Sequence, residues 1–133
     1  MIHKRYRLGI CQWSVEAEGP DICRFAAELG LEGVQLEIGT CEDGFPLSRP
    51  SVQREFMESA AEHGIRFTSI AARVTDQYDM TQPAGTEDSR IVWEAIVRSI
   101  EAAEAMGIPA VMIGSFLASD IKNEEDLVAR RKC

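Results

Sequence analysis

An amphipathic segment, a glycine and a short apolar run follow one another three times along the chain. The glycines are Gly30, Gly64 and Gly107, and each stands where the left-handed end of a helix favours glycine. Their unequal spacing argues against a solenoid array and is typical of successive strand–helix units. Strands are predicted near residues 7–12, 34–38, 67–72 and 110–114.

Three helices are predicted between these strands. The first opens at Pro20 or Asp21, and its apolar residues recur at helical spacing, which indicates one buried stripe. That stripe consists of Ile22, Phe25, Ala26 and Leu29. The second helix is predicted from about residue 50 to 63, because proline favours the first turn. The third is predicted from residue 86 or 87 to 106.

Near-continuous apolar strands joined by helices predict a parallel sheet with right-handed connections. A small doubly wound domain and part of a (β/α)8 barrel both fit this order, and a full barrel needs roughly 250 residues. A capped helix start at Asn123 reaches Cys133 before a second apolar turn or a closing glycine. We therefore predict an α/β fold, the first half of a TIM barrel, with four parallel strands in sequence order and outer helices. Residues 1–133 are then a single partial domain, truncated in its fourth helix.

Charge and composition argue against two classes of partner. The 133 residues carry a formal net charge of −8, and all 22 carboxylates lie between basic termini. Such a field repels a phosphate backbone, so no nucleic-acid partner is expected. No stretch approaches the ~20 apolar residues of a membrane span, and the apolar run after the basic start is short for a signal peptide. No membrane partner and a cytoplasmic location are expected.

The four cysteines, Cys11, Cys23, Cys41 and Cys133, form no closely spaced pair and have no histidine at ligand spacing. Neither a zinc site nor a disulfide scaffold is indicated, and reduced, mostly buried thiols are expected. No glycine-rich phosphate loop follows any strand, so a nucleotide cofactor is not expected either.

Candidate substrate-binding residues lie at the predicted carboxyl ends of the strands, where parallel βα proteins place their sites. Trp13 follows the first strand and can form an apolar wall for a sugar ring or simply pack under a loop. Glu37 ends the second strand and can bind a hydroxyl group or pair with a neighbouring arginine such as Arg73. Phe116 follows the fourth strand at the lip of a pocket. No catalytic or metal-ligating residue is assigned.

Several short motifs occur in order along nearly the whole chain. They are Leu8-Gly9-Ile10, Trp13-Ser14, Gly33-Val34-Gln35-Leu36-Glu37, Phe45-Pro46-Leu47, Gly64-Ile65, Gly107-Ile108, Val111-Met112-Ile113, and Ser115-Phe116 ahead of Asn123-Glu124-Glu125-Asp126-Leu127. As an ordered set they resemble the sugar phosphate isomerases and epimerases with the xylose isomerase-like barrel. The similarity is greatest to the ketose 3-epimerase and hexulose-phosphate isomerase or epimerase branch.

The resemblance implies metal-assisted proton transfer next to a ketose carbonyl, with a sugar or sugar phosphate as the small-molecule partner. A divalent ion (Mn, Mg or Co) would polarise the carbonyl while two glutamates act as base and acid. The family's ligands and both glutamates belong to the second half of the barrel. The resemblance thus places Trp13, Glu37 and Phe116 in the substrate wall, and this chain alone is expected to be inactive and to bind no divalent ion tightly.

Two alternatives remain open. One is a related barrel with another reaction, such as an inosose dehydratase or an abasic-site endonuclease, although the acidic body disfavours the nuclease. The other is a non-catalytic half barrel that self-associates through its unpaired first and fourth strands, because exposed sheet edges seek partners. A homo-oligomer is expected, since a half barrel would leave those edges and an apolar inner face uncovered.

Overall fold

The computed structural model describes residues 6–130, in which four strands alternate with four helices. The strands are β1 Gly9–Cys11, β2 Gly33–Glu37, β3 Arg66–Ala71 and β4 Val111–Met112. The helices are α1 Asp21–Glu28, α2 Pro50–His63, α3 Glu87–Met106 and α4 Glu124–Arg130. All strand pairs are parallel and the order is β1-β2-β3-β4. This order confirms the prediction of half a barrel. In a doubly wound sheet the strand order would change at the first strand, so that later strands would lie on both sides of it.

The helices cover one face of the sheet. Val34, Leu36 and Ile38 in and after β2 are fully buried, whereas Gln35 and Glu37 between them remain partly exposed. The buried residues share one apolar core with side chains of the first three helices, including Ile22, Ala26, Phe56, Ala60, Ile91 and Ala95. Because side chains alternate across a strand, the remaining residues of β2 lie on the inner face of the half barrel.

The glycine and proline signals place the helix ends correctly. Gly64 and Gly107 end α2 and α3 in the left-handed region, with φ of 68° and 67°. Pro50 begins α2, and the Thr86 hydroxyl accepts a hydrogen bond from the backbone N–H of Ser89 at the start of α3. These signals depend on neighbours within one helical turn, so the chain's local sequence suffices to set them.

The buried stripe predicted for α1 is wrong at one position. Leu29 lies just past the end of the helix and its side chain is 58% exposed, while Cys23 is fully buried and takes a place in the core. The helix stops at Glu28, so the helical spacing that produced the prediction no longer applies to Leu29.

The two edge strands are shorter than predicted. β1 has three residues and β4 has two, compared with the six and five expected from the apolar runs. Each edge strand has a hydrogen-bonded neighbour on one side only. Beyond Cys11 the chain turns at once into a 3-10 turn, Gln12–Ser14, which moves the following side chains over the end of the sheet.

The inner face is polar, and the expectation of an apolar inner face is wrong. The Cys11 thiol donates to Gln35 Oε1 at 3.2 Å, and Gln35 Nε2 donates to Ser69 Oγ at 2.8 Å and contacts Met112 Sδ at 3.6 Å. One side chain from each strand therefore joins a single hydrogen-bonded layer. This layer forms a floor beneath the carboxyl ends of the strands.

Cys11, Cys23 and Cys41 are free thiols, and Cys133 lies outside the described residues. Only Cys23 is buried, and that burial raises the pKa of its thiol. Within residues 6–130, no helix combines the length and apolar character needed to cross a bilayer.

Candidate substrate-binding site

The carboxyl ends of all four strands deliver side chains to one edge of the sheet. Trp13 lies in the turn after β1, and Glu37 is the last residue of β2. Another 3-10 turn, Arg73–Asp76, follows β3, and Phe116 lies beyond β4. Sites of parallel βα barrels form at this edge, so we take it as the candidate site.

Arg73 connects three of these strand ends. Its Nε and Nη2 donate to Asp76 Oδ2 at 3.2 and 3.0 Å, and its Nη1 lies 3.5 Å from Glu37 Oε2. Its Cζ lies 4.9 Å from the centroid of the Trp13 ring, a cation–π distance. The ion pair between Glu37 and Arg73, which the sequence left as an alternative, is therefore present.

Glu37 is held by its backbone as well as by its side chain. Its N–H donates to Gln12 Oε1 at 3.0 Å, which ties the end of β2 to the turn after β1. Its side chain is 32% exposed and faces Arg73. The carboxylate is therefore oriented by a neighbouring cation while part of its surface remains open to a ligand.

Two small cavities, each of about 170 Å³, meet at Arg73 and Asp76. The first is lined by Glu37, Gly39, Thr40, Arg73, Val74, Asp76 and Gln77. The second is lined by Trp13, Arg73, Asp76, Met112, Gly114 and Phe116. Each is smaller than the roughly 300–1,000 Å³ typical of drug-sized ligands, and suits a fragment the size of a sugar ring or less.

A larger cavity of about 490 Å³ lies at the opposite end of the strands. Arg7, Glu32 and Arg66 contribute its charged groups, beside the glycines of β1 and β2. It is the open amino-terminal end of the half barrel. Barrel enzymes carry out their chemistry at the carboxyl ends of the strands, so we do not take this cavity as the candidate site although it is larger than the other two.

Two of the three sequence-predicted residues line one cavity, and the third lines the cavity that adjoins it at Arg73. Trp13 and Phe116 line the same cavity although they follow the two opposite edge strands, which shows how strongly the sheet curves. Glu37 lines the adjoining cavity. The Phe116 side chain is 62% exposed.

Gln12 and Asp76 belong to the candidate site although neither was assigned to it from the sequence, and Arg73 joins them as the expected partner of Glu37. Asp76 lies several residues beyond the end of β3 in the sequence, but the 3-10 turn brings its carboxylate back to Arg73 at the strand end. The signal was available in the sequence: an arginine and an aspartate three residues apart directly after an apolar strand can pair across one helical turn.

These residues do not fit a divalent metal ion. The carboxylates of Glu37 and Asp76 both face the Arg73 guanidinium, which already supplies the positive charge between them. Among the side chains described, no group of three or more histidine, cysteine, aspartate or glutamate residues is placed to hold an ion. Divalent sites need several converging ligands, so this part of the chain does not provide a metal site.

Comparison with known proteins agrees with the fold. The family described as xylose isomerase-like TIM barrel matches residues 23–132. The chain therefore belongs to the xylose isomerase-like TIM barrel family, as its motifs indicated. It is also similar to 2-epi-5-epi-valiolone 7-phosphate 2-epimerase from Actinoplanes sp., with 27% identity over 116 residues. That match covers 86% of this chain and 41% of the relative, so the chain spans less than half of the relative's length.

Proposed function

We propose that this chain forms the substrate-binding wall of a sugar or sugar-phosphate isomerase or epimerase. One observation carries the proposal: in a chain of the xylose isomerase-like family, Trp13, Glu37 and Arg73 meet at the carboxyl ends of the strands around two sugar-sized cavities. The epimerase relative supports the reaction class. In this proposal a proton moves at the carbon next to a ketose carbonyl.

The two cavities together offer both kinds of contact that a sugar needs. Trp13, Met112 and Phe116 supply an apolar wall for the C–H face of a sugar. Glu37 and Asp76 supply oxygen acceptors for hydroxyl groups, and charge-assisted hydrogen bonds of this kind are stronger than neutral ones. The site thus holds and orients a polyol next to the reacting centre.

The groups that transfer the proton lie outside the described residues in this proposal. The divalent ion (Mn, Mg or Co) implied by the family resemblance would likewise be held by ligands outside this site, because Glu37 and Asp76 are already paired with Arg73. When bound, such an ion polarises the carbonyl. We propose a cytoplasmic location as well, which the free thiols Cys11, Cys23 and Cys41 support because reducing compartments preserve thiols.

A chimaera tests the proposed function. This chain replaces the matching part of the Actinoplanes epimerase, and the folded chimaera is assayed with ketoses and ketose phosphates in the presence of Mn²⁺, Mg²⁺ or Co²⁺. We expect turnover that falls about tenfold or more in Trp13→Ala and in Glu37→Gln, since each removes a substrate contact. Glu101→Gln, on the exposed side of α3, is the matched control and should leave turnover unchanged. A folded chimaera without turnover contradicts the proposal.

Self-association of the half barrel is a second candidate role. β1 and β4 each have an unpaired edge, and Ile113 and Leu117 beyond β4 are 44% and 72% exposed. Unpaired edges next to apolar side chains favour association with another chain.

A further inference from the structure

We propose that the Arg73 cluster, defined as Trp13, Glu37, Arg73 and Asp76, binds the uncharged, hydroxyl-bearing part of the substrate and rejects a phosphate group. The inference rests on the proposed isomerase or epimerase function. The inference goes further by stating which end of the substrate this chain holds. The polyol end faces the described strands, and any phosphate faces away from them.

The cluster has the wrong charge for a phosphate. One guanidinium and two carboxylates give it a formal charge of −1, and Arg73 is the only basic residue among those lining the two cavities. Arginine binds phosphate best through two parallel N–H donors. The Nε and Nη2 donors of Arg73 already bind Asp76 and its Nη1 faces Glu37, so a phosphate would have to approach a guanidinium flanked by two carboxylates, against net negative charge.

The loops around the cluster add more acid. Residues 38–45 and 77–82, which follow β2 and the turn after β3, contain Glu42, Asp43 and Asp79 and no lysine, arginine or histidine. Hydrogen bonds hold all three acids in place: Tyr78 donates to Glu42, the Thr40 hydroxyl donates to Asp43, and the Thr81 hydroxyl donates to Asp79. A negative rim repels dianions and does not penalise neutral polyols.

A neutral polyol fits what remains open. The side chains of Glu37 and Asp76 are 32% and 15% exposed, so part of each carboxylate can accept from a hydroxyl group while it stays paired with Arg73. In (β/α)8 barrels the phosphate frequently binds at the loops after the seventh and eighth strands, which in a closed barrel lie opposite the third and fourth strands, and so opposite the Arg73–Asp76 turn after β3. A substrate lying across the mouth would therefore place its polyol end on this cluster.

Nuclear magnetic resonance of the ¹⁵N-labelled chain tests the inference with D-fructose, D-fructose 6-phosphate and inorganic phosphate as probes. D-fructose should shift the Trp13 indole N–H resonance and leave that of Trp93, which is 65% exposed on α3, unchanged. D-fructose 6-phosphate should bind no more tightly than D-fructose, and inorganic phosphate should not shift the Arg73 Nε–H resonance. A phosphate-induced shift at Arg73, or no Trp13 shift with D-fructose, would overturn the inference.

A variant without the two carboxylates tests the cause. Glu37→Gln combined with Asp76→Asn leaves the Arg73 charge unopposed, and we expect D-fructose 6-phosphate then to bind about tenfold more tightly than D-fructose. An unchanged circular dichroism spectrum confirms that the variant is folded, and no gain in phosphate-ester binding contradicts the electrostatic explanation. The experiments distinguish failure of the proposed function from failure of this inference. A chimaera without turnover contradicts the proposed reaction, whereas phosphate binding at Arg73 contradicts this inference alone.

Discussion

The Arg73 guanidinium lies 4.9 Å from the centre of the Trp13 ring and connects the turn after β3 to the turn after β1. We expect Arg73→Ala to lower the free energy of unfolding by about 1 kcal/mol, because the ion pairs and the ring contact are partly solvent-screened. Urea denaturation measures this change. Arg90→Ala, an exposed position on α3, is the control. Equal effects of the two substitutions would show that the Arg73 contacts contribute nothing to stability.

The backbones of β1 and β2 approach each other closely at Gly9 and Gly33. A Cβ on Gly9 would lie 2.8 Å from the Gly33 carbonyl oxygen, and a backbone atom cannot move aside without separating the strands. We expect Gly9→Ala to cost about 1–3 kcal/mol of unfolding free energy. In Gly114→Ala the new methyl group meets the ring of Phe116 at 3.0 Å, but that exposed side chain can rotate away. The prediction fails if chemical denaturation shows Gly114→Ala to be the more damaging change.

The loops after β2 and β3 are linked by a hydrogen bond from the Tyr78 hydroxyl to Glu42 Oε1 at 2.8 Å. This bond raises the pKa of Tyr78 to about 12 from its ordinary value of 10.0. The folded chain therefore retains a proton that the unfolded chain loses. The stabilisation is fully present below pH 10 and is lost as the pH rises through about 12.

Phenolate absorbance measured while circular dichroism still shows folded helices follows this titration. Glu42→Gln should bring the high pKa of Tyr78 back towards 10. Tyr78→Phe should abolish the rise in phenolate absorbance near pH 12. Tyr6→Phe is the control and should leave the Tyr78 titration near pH 12 unchanged. If the absorbance of Tyr78→Phe still rises near pH 12, a group other than Tyr78 causes that rise.

Light scattering tests the self-association of the chain. The inner face carries polar side chains, so we expect the two strand edges and the exposed apolar residues beyond β4 to drive association. We predict dimers or larger species, and we predict that Ile113→Lys shifts them towards monomer because it places a charge next to the β4 edge. Leu29→Lys, on the exposed surface after α1, is the matched control. A clean monomer across a wide concentration range contradicts the prediction.

Local signals made most of the fold predictable from the sequence. Gly64, Gly107 and Pro50 mark helix ends through contacts within one turn, and the apolar runs mark strands that have neighbours on both sides. The edge strands β1 and β4 were overestimated because strand length depends on a partner that the sequence does not reveal.

The site was only partly predictable for the same reason. Position at a strand end identified Trp13, Glu37 and Phe116 as candidates, because in a parallel sheet all these ends meet at one edge. The common partner Arg73 depends on the curvature of the sheet and on the turn that brings Asp76 back to its strand. These are tertiary relationships, and no local spacing encodes the distance between Arg73 and Trp13.

Solvent deuterium incorporation tests the central claim most directly. The chimaera that contains this chain is incubated with a ketose or ketose phosphate in D₂O, and the recovered sugar is analysed by mass spectrometry and proton magnetic resonance. We predict deuterium at the carbon next to the carbonyl without loss of water, since the proposed reaction moves a proton. Trp13→Ala and Glu37→Gln should slow this exchange. Loss of water from the substrate would instead support a dehydratase, and an active chimaera with no deuterium at that carbon would contradict the proposed proton transfer.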